Sequence, residues 1–193
     1  MLTDHTGSYY AASANPTPER PPLHGLVEAD VCVIGAGYTG ISTALFLQEQ
    51  GFSVRVLEAV KVGFGASGRN GGQIVNSYSR DIDVIERTLP APQARLLGEM
   101  AFEGGRIIRD RVQRYGIQCD LKDGGIFAAL NAKQMQHLQA QKALWERYGY
   151  SHLEMLDGVD IRQRVDSQRY VGGMLDRQGG HIHPLNLVLG EAA

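Results

Sequence analysis

Four consecutive apolar residues, Val31, Cys32, Val33 and Ile34, follow a polar, proline-broken stretch and run directly into glycines. A short apolar run bounded in this way predicts a buried strand over residues 30–34. Residues 41–50 then predict a helix, and residues 53–57 (SVRVL) predict a second strand that ends at Glu58. Farther on, the spacing of Leu96, Leu97, Met100, Ile107, Ile108 and Val112 predicts an apolar face on a long helix over residues 92–115, with Pro92 in its first turn. Gly104 and Gly105 interrupt that pattern and predict a close packing point or a kink.

The other elements follow from turn and cap chemistry. Residues 81–89 predict a short helix. Lys122, Asp123 and Gly124 read as the turn of a hairpin between strands at 117–121 and 125–130. Asn131 caps a helix reaching about Tyr148, and Asp157 starts a short one to Val165. Strands are expected at 169–176 and 180–182, and Pro184 opens a last helix that is cut at Ala193. Residues 1–28, broken by Pro16, Pro18, Pro21 and Pro22, predict an arm over the domain or disorder, with Tyr9 and Tyr10 able to pin it.

The glycines after the first strand carry the chemistry. Gly35, Gly37 and Gly40 form G-x-G-x-x-G between a strand and a helix, the context that gives this pattern its meaning. Gly35 allows the tight turn, Gly37 lets a pyrophosphate approach the backbone, and Gly40 lets helix and strand pack closely. Free N–H groups at the helix start then face the phosphates. Glu58, about twenty residues on, is placed to accept hydrogen bonds from ribose hydroxyls, and its charge disfavours a 2′-phosphate. The bland alternative is a glycine turn in an unrelated α/β protein.

After Glu58 the chain does not enter a third strand. Residues 61–73 (KVGFGASGRNGGQ) are too long for a simple connection and too small and polar for a core. Their backbone amides, with Ser67, Arg69, Asn70 and Gln73, suit a second phosphate and a heteroaromatic ring carrying N and O at its rim. FAD has both. A flexible surface loop is the alternative, and an NAD-dependent dehydrogenase is the rival enzyme.

Composition narrows the field. The 193 residues are 43% hydrophobic and 21% charged, which suits a globular protein able to bury a core. A net charge of −2 and the lack of a Lys/Arg cluster give no field for nucleic acid or an anionic membrane. No apolar run is long enough to span a bilayer, and the N-terminus has neither a basic nor an apolar leader region, so a cytoplasmic protein is expected. Cys32 and Cys119 have no CxxC partner and read as small core side chains in a reducing compartment. His181 and His183 lie two apart on a strand, but no third or fourth ligand stands at a sensible spacing, so no metal site is expected. Arg162, Arg164 and Arg169 read as a solvated face. Tyr78, Arg80 and Asp81 suit either a substrate entrance or a packed tyrosine beside a surface ion pair. Trp145 reads as a core or interface anchor, and no residue here is assigned as a catalytic base.

The GAGYTG turn, the LEA ending of the second strand, GFGASGRNGGQIVNSYSRDIDVIE and GGHIHPLNL together resemble the D-amino-acid oxidase, glycine oxidase and sarcosine oxidase superfamily of FAD-dependent oxidoreductases. The resemblance implies an α/β fold: a Rossmann-like FAD-binding domain of the glutathione-reductase type with the start of a second, α+β substrate domain, truncated. It implies that Gly35, Ala36, Gly37, Tyr38, Thr39 and Gly40 hold the ADP pyrophosphate and Glu58 the adenosine ribose. Ala66, Ser67, Arg69, Asn70, Gly71, Gly72 and Gln73 would serve the pyrophosphate and isoalloxazine side. The implied reaction oxidises a primary or secondary amine to an aldehyde with ammonia and hydrogen peroxide, dioxygen being the electron acceptor.

Superfamily members are about twice as long, consistent with two domains. The expected organisation is therefore an arm at 1–28, the FAD-binding part at 29–116, a partial substrate-domain segment at 117–176 and a return segment at 177–193. The piece is expected to be the N-terminal half of an oxidase and inactive alone. A non-catalytic nucleotide-binding or packing module is the reading from another class.

Overall fold

The structure, a computed structural model, describes residues 4–193. The chain forms two compact units. The first comprises the residues up to Gly72 together with Asp110–Leu121 and Ile182–Ala193; the second comprises Gln73–Arg109 and Lys122–His181. These limits differ from the sequence boundaries at 28, 116 and 176. The difference arises because both segments 73–109 and 122–181 contribute to one antiparallel sheet.

In the first unit, β1 (Val31–Ile34) and β2 (Val54–Leu57) pair in parallel, Val31 opposite Val54 and Ile34 opposite Leu57. Helix α2 (Tyr38–Glu49) connects them, as a parallel pair requires a crossover. It begins at Tyr38 rather than at residue 41, so Gly40 lies inside its first turn. A short α1 (Tyr9–Ala12), capped by Ser8, and α7 (Pro184–Glu191), capped by His183, complete the unit. Its core joins Ala36 and Ile41 to Leu185, Val188 and Leu189.

The arm is tied down between Tyr10 and Arg20. Tyr10 packs edge-on against His183, Asn15 N–H donates to Asn186 Oδ1 at 2.8 Å, and an Arg20 N–H donates to the Ala192 carbonyl. The first three arm residues lie outside the described residues.

Arg111 and Glu191 form an ion pair at 3.0 Å whose side chains are only 11% and 4% exposed, and Arg111 also donates to Ser42 Oγ of α2. Burial raises the Glu191 carboxyl above its ordinary 4.5, and the Arg111 hydrogen bond and charge only partly offset this. A raised folded-state pKa contributes stability that is fully present below the unfolded value and is lost as pH rises through the folded one. Glu191→Gln is therefore expected to flatten the decline in stability as pH is raised from 4.5. Denaturation midpoints across a pH series measure this, and parallel curves for parent and variant would refute it.

The second unit is built on β6 (Gly172–His181), which pairs antiparallel with β3 (Gln73–Ile74), β4 (Lys122–Ala129) and β5 (Leu153–Leu156). Helices α3 (Ile82–Thr88), the first part of α4 (Ala91–Tyr115), α5 (Ala132–Arg147) and α6 (Gly158–Arg162) accompany the sheet. Trp145, 1% exposed, anchors the core with Leu138, Leu153 and Met174. Its ring packs edge-on against Phe102 and Tyr150, and its Nε1–H donates to Asp81. Buried Asp176 accepts from Tyr150 Oη at 2.5 Å, Asn76 Nδ2 at 2.9 Å and the Gln178 N–H at 3.0 Å. The burial of this carboxylate is thereby compensated.

Several sequence expectations are corrected. No hairpin spans 117–130. Lys122, Asp123 and Gly124 lie inside β4, where the register slips between Asp123 and Gly125 and Gly124 takes φ +92°. An Asp-Gly pair supplies the same positive φ to a bulge as to a turn. Residues 169–176 and 180–182 are not two strands, because β6 runs on through Gly179 and Gly180. A Cβ on Gly180 would stand 2.2 Å from the Lys122 carbonyl oxygen, so this glycine permits close strand approach instead of ending the strand. β5 has no signal in the sequence, since LEML lacks an alternating pattern.

Helix α4 is unbroken at Gly104 and Gly105. A Cβ on Gly105 would sit 3.2 Å from Asn76 Oδ1, which makes it a packing point, whereas Gly104 faces open space. Cys119 is buried but lies outside any strand, and Cys32 is exposed rather than in the core. Cys32 shares its sheet face with Ile34, itself 87% exposed, while Val31 and Val33 take the other face of β1.

Candidate cofactor-binding site

Gly35 leaves β1 with φ +98°, a conformation that glycine adopts without strain, and its N–H donates to the Leu57 carbonyl at 2.8 Å. The turn is thereby stitched to the end of β2. Gly37 is the N-cap of α2 and offers no side chain. Among the described residues, the N–H groups of Gly37, Thr39 and Gly40 find no hydrogen-bond acceptor, so a helix start with its positive dipole end presents free donors. A Cβ on Gly40 would lie 1.9 Å from the Gly35 carbonyl oxygen, which explains the third glycine as a point of contact between helix and turn.

Glu58 follows β2. Its Oε2 accepts the Ala36 N–H at 2.8 Å and its Oε1 accepts the Val60 N–H at 3.1 Å. Each oxygen keeps a further acceptor site, and the two backbone donors aim the carboxylate. Glu58 also lines a cavity of about 630 Å³ together with Ala36, Ile41, Val56, Ala59 and Lys61. That volume lies within the usual range for small-molecule sites.

The glycine-rich loop folds around a single 3-10 turn, Ala66–Gly68. It is not wholly outside the core: Gly63, Gly68 and Gly72 are buried, and a Cβ on Gly63 would strike Val188 of α7 at 2.6 Å. Ser67 Oγ accepts the Tyr38 N–H at 2.9 Å and lies 2.9 Å from where a Gly37 Cβ would be. The loop thus reaches the start of α2. The Tyr38 hydroxyl donates to the Pro184 carbonyl, and burial pushes its pKa up to about 12, with the Asn70 amide opposing. Arg69 is exposed, its guanidinium 5.7 Å over the Phe64 ring. Gly71 is exposed beside it.

Gln73, the last of the expected site residues, opens β3 opposite His181 and belongs to the second unit. Within that unit, Tyr78 donates to the Leu97 carbonyl, and Asp81 caps α3 and accepts from Gln141. His183, assigned no role from sequence beyond its place on a strand, caps α7 through Nδ1 and contacts Ser13 through Nε2. The signal for the cap was present in His183-Pro184, since proline favours the first turn. Among the described residues no cluster of three metal-ligating side chains occurs, and no helix is long and apolar enough to cross a membrane.

A parallel strand pair, a glycine turn with free helix-start donors and an oriented ribose-type carboxylate define a dinucleotide-binding α/β protein. The chain belongs to the FAD-dependent oxidoreductase family DAO, which matches residues 30–193. That family is FAD-dependent, and the donor set described above fits the adenine-dinucleotide part of FAD. The NAD alternative is set aside.

The chain is 60% identical over 191 residues to gamma-glutamylputrescine oxidoreductase of Escherichia coli (strain K12), covering 99% of this chain and 45% of that protein. It is 43% identical over 190 residues to the probable oxidoreductase OrdL of Haemophilus influenzae, covering 98% of this chain and 44% of that protein. Among solved structures, L-amino acid deaminase from Proteus myxofaciens, in complex with anthranilate, resembles it with a TM-score of 0.73 at 22% identity, over 93% of this chain and 38% of that one. Glycine oxidase from Bacillus cereus gives 0.62 at 20% identity, over 86% and 43%. The chain therefore spans less than half the length of these relatives, and the two structures speak to fold alone.

Proposed function

We propose that this chain forms the FAD-binding part of an amine oxidase acting on gamma-glutamylputrescine or a close analogue, in the cytoplasm. The observation that carries the reading is the 60% identity to the E. coli gamma-glutamylputrescine oxidoreductase across 99% of the chain. The chemistry that FAD supplies when bound is acceptance of a hydride from the carbon bearing the amine. Water then hydrolyses the imine to an aldehyde and ammonia, and dioxygen takes up the electrons as hydrogen peroxide.

The residues of the first unit bind and orient. The N–H groups of Gly37, Thr39 and Gly40 donate to the pyrophosphate, as a helix start does for anions. Glu58 accepts from the ribose hydroxyls through the acceptor sites that Ala36 and Val60 leave free, and the 630 Å³ cavity beside it takes the adenosine end. Ala66, Ser67, Arg69, Gly71 and Gly72 extend the cradle toward the flavin, with Ser67 holding the loop to the turn.

Glu58→Ala is expected to weaken FAD binding by about 1–3 kcal/mol, since it removes a charged acceptor and unties two backbone amides. Fluorescence titration of FAD gives the affinity, and an unchanged value would remove Glu58 from the site. For substrate, gamma-glutamylputrescine added to flavin-loaded protein carrying this chain should bleach the flavin absorbance and, in air, release peroxide. Equal bleaching by putrescine or glycine would overturn the substrate assignment. No bleaching by any amine would favour a non-catalytic binding module.

A further inference from the structure

Asn70 sits in the middle of the glycine-rich loop, and its amide bonds to the loop itself while also acting on the neighbouring Tyr38 hydroxyl. Its Nδ2 donates to the Ala66 carbonyl at 3.2 Å and to the Ser67 carbonyl at 2.9 Å, while its Oδ1 accepts the Gly72 N–H at 2.8 Å. The orientation of the amide follows from its partners, because two carbonyls require the NH₂ end and an N–H requires the oxygen. An amide has two N–H donors, and both are in use. What remains is one acceptor lone pair on Oδ1, which has nothing to offer a phosphate oxygen or a flavin carbonyl.

The three bonds act at informative places. Through the Ser67 carbonyl, Asn70 holds the residue whose Oγ accepts the Tyr38 N–H at 2.9 Å, so it steadies the join between the loop and the start of α2. Through the Gly72 N–H, it holds a residue with φ +71° whose carbonyl accepts from Ile182 at 2.8 Å. A Cβ at Gly72 would come within 2.1 Å of the Ile182 carbonyl oxygen, so that backbone has no slack. Meanwhile the N–H groups of Ala66, Ser67, Asn70 and Gly71 find no acceptor among the described residues. With the carbonyls of Ala66 and Ser67 drawn onto Asn70, the loop is left with free donors.

We infer that Asn70 is a positioning residue that shapes the loop before FAD arrives, and not a group that touches the cofactor. The inference rests on the FAD-binding reading of this loop, but its first test needs no cofactor. In the apoprotein, amide hydrogen exchange at Gly72 should be slow, because its N–H is bonded to Asn70, and should change little when FAD is added. The amide of Gly71 should exchange quickly without FAD and slow once FAD is present. Fast exchange at Gly72 without FAD, slowed only by the cofactor, would overturn the proposal.

The second test uses Asn70→Ala and Asn70→Asp. Both should speed exchange across residues 66–72 in the apoprotein and weaken FAD binding about tenfold, the size of one or two lost hydrogen bonds. Asn70→Asp keeps an acceptor for Gly72 but sets a carboxylate against two carbonyls, so it should be no better than alanine. Weakened FAD binding with parental exchange in the apoprotein would mean direct contact and would refute positioning. Should the parent protein fail to bind FAD, the cofactor reading falls, and the exchange result still decides what Asn70 does to the loop.

Discussion

Gly40→Ala is expected to weaken FAD binding by on the order of a hundredfold, the equivalent of about 2.7 kcal/mol. The added methyl would stand 1.9 Å from the Gly35 carbonyl oxygen and 3.4 Å from Val33 Cγ1. The first of these is backbone in the turn that leads into the free helix-start donors, so relief requires α2 to shift away from β1. That movement misaims the N–H groups of Thr39 and Gly40. Gly37→Ala provides the contrast. Its methyl would meet only Ser67 Oγ, at 2.9 Å, and a hydroxyl can rotate aside. The apoprotein should therefore tolerate Gly37→Ala with a small change in melting temperature, while FAD affinity falls because the pyrophosphate loses its approach to the backbone. Titration of both variants decides the matter, and Gly40→Ala binding within about threefold of the parent would refute the assigned contact.

Trp145→Ala should lower unfolding stability by about 3–5 kcal/mol, the usual cost of emptying a large aromatic site. The side chain is 1% exposed, packs with Phe102, Phe127 and Tyr150, and donates its Nε1–H to the Asp81 carboxylate that caps α3. Trp145→Phe keeps an apolar ring but drops that donor, and about half the loss is expected. Urea denaturation of the apoprotein measures both. A loss below about 1 kcal/mol for Trp145→Ala would mean that the second unit does not depend on this ring.

The nucleotide turn was legible because each step is local. Val31 to Ile34 needed a strand, Gly35 needed positive φ, and Glu58 followed the next apolar run at the spacing a ribose contact requires. Helix caps were equally readable: Asp81, Asn131 and Asp157 each accept from the helix they precede. Pairing was not. Lys122-Asp123-Gly124 carries the same residues whether it turns a hairpin or bulges a strand, and the choice was made by β6, whose partners come from residues far apart in the chain. In the same way residues 177–179 read as a break between two strands, although β6 runs through them and needs Gly180 small so that Lys122 can approach.

The loop shows the same division inside the candidate site. Composition was enough to mark residues 61–73 as rich in approachable amides, but it assigned Asn70 outward, to a ligand. The folded loop turns that amide inward onto Ala66, Ser67 and Gly72. Gly63 and Gly68 likewise read as backbone open to a ligand, whereas they are small because α7 and the loop's own backbone lie against them.

By itself the sequence determined the strand, glycine turn, helix and second strand of the first unit, the acidic residue after it and the helix starts at Asp81, Asn131 and Asp157. Those features depend on φ preferences, side-chain caps and spacing within a few tens of residues, and covalent geometry enforces them wherever the segment lies. Tertiary structure decided which strands share β6, where the chain divides, which glycines are contacts rather than hinges, and that Cys32 faces outward while Asp176 faces inward. These depend on what lies opposite a residue, and hydrogen bonds and packing between distant segments are absent from any local pattern.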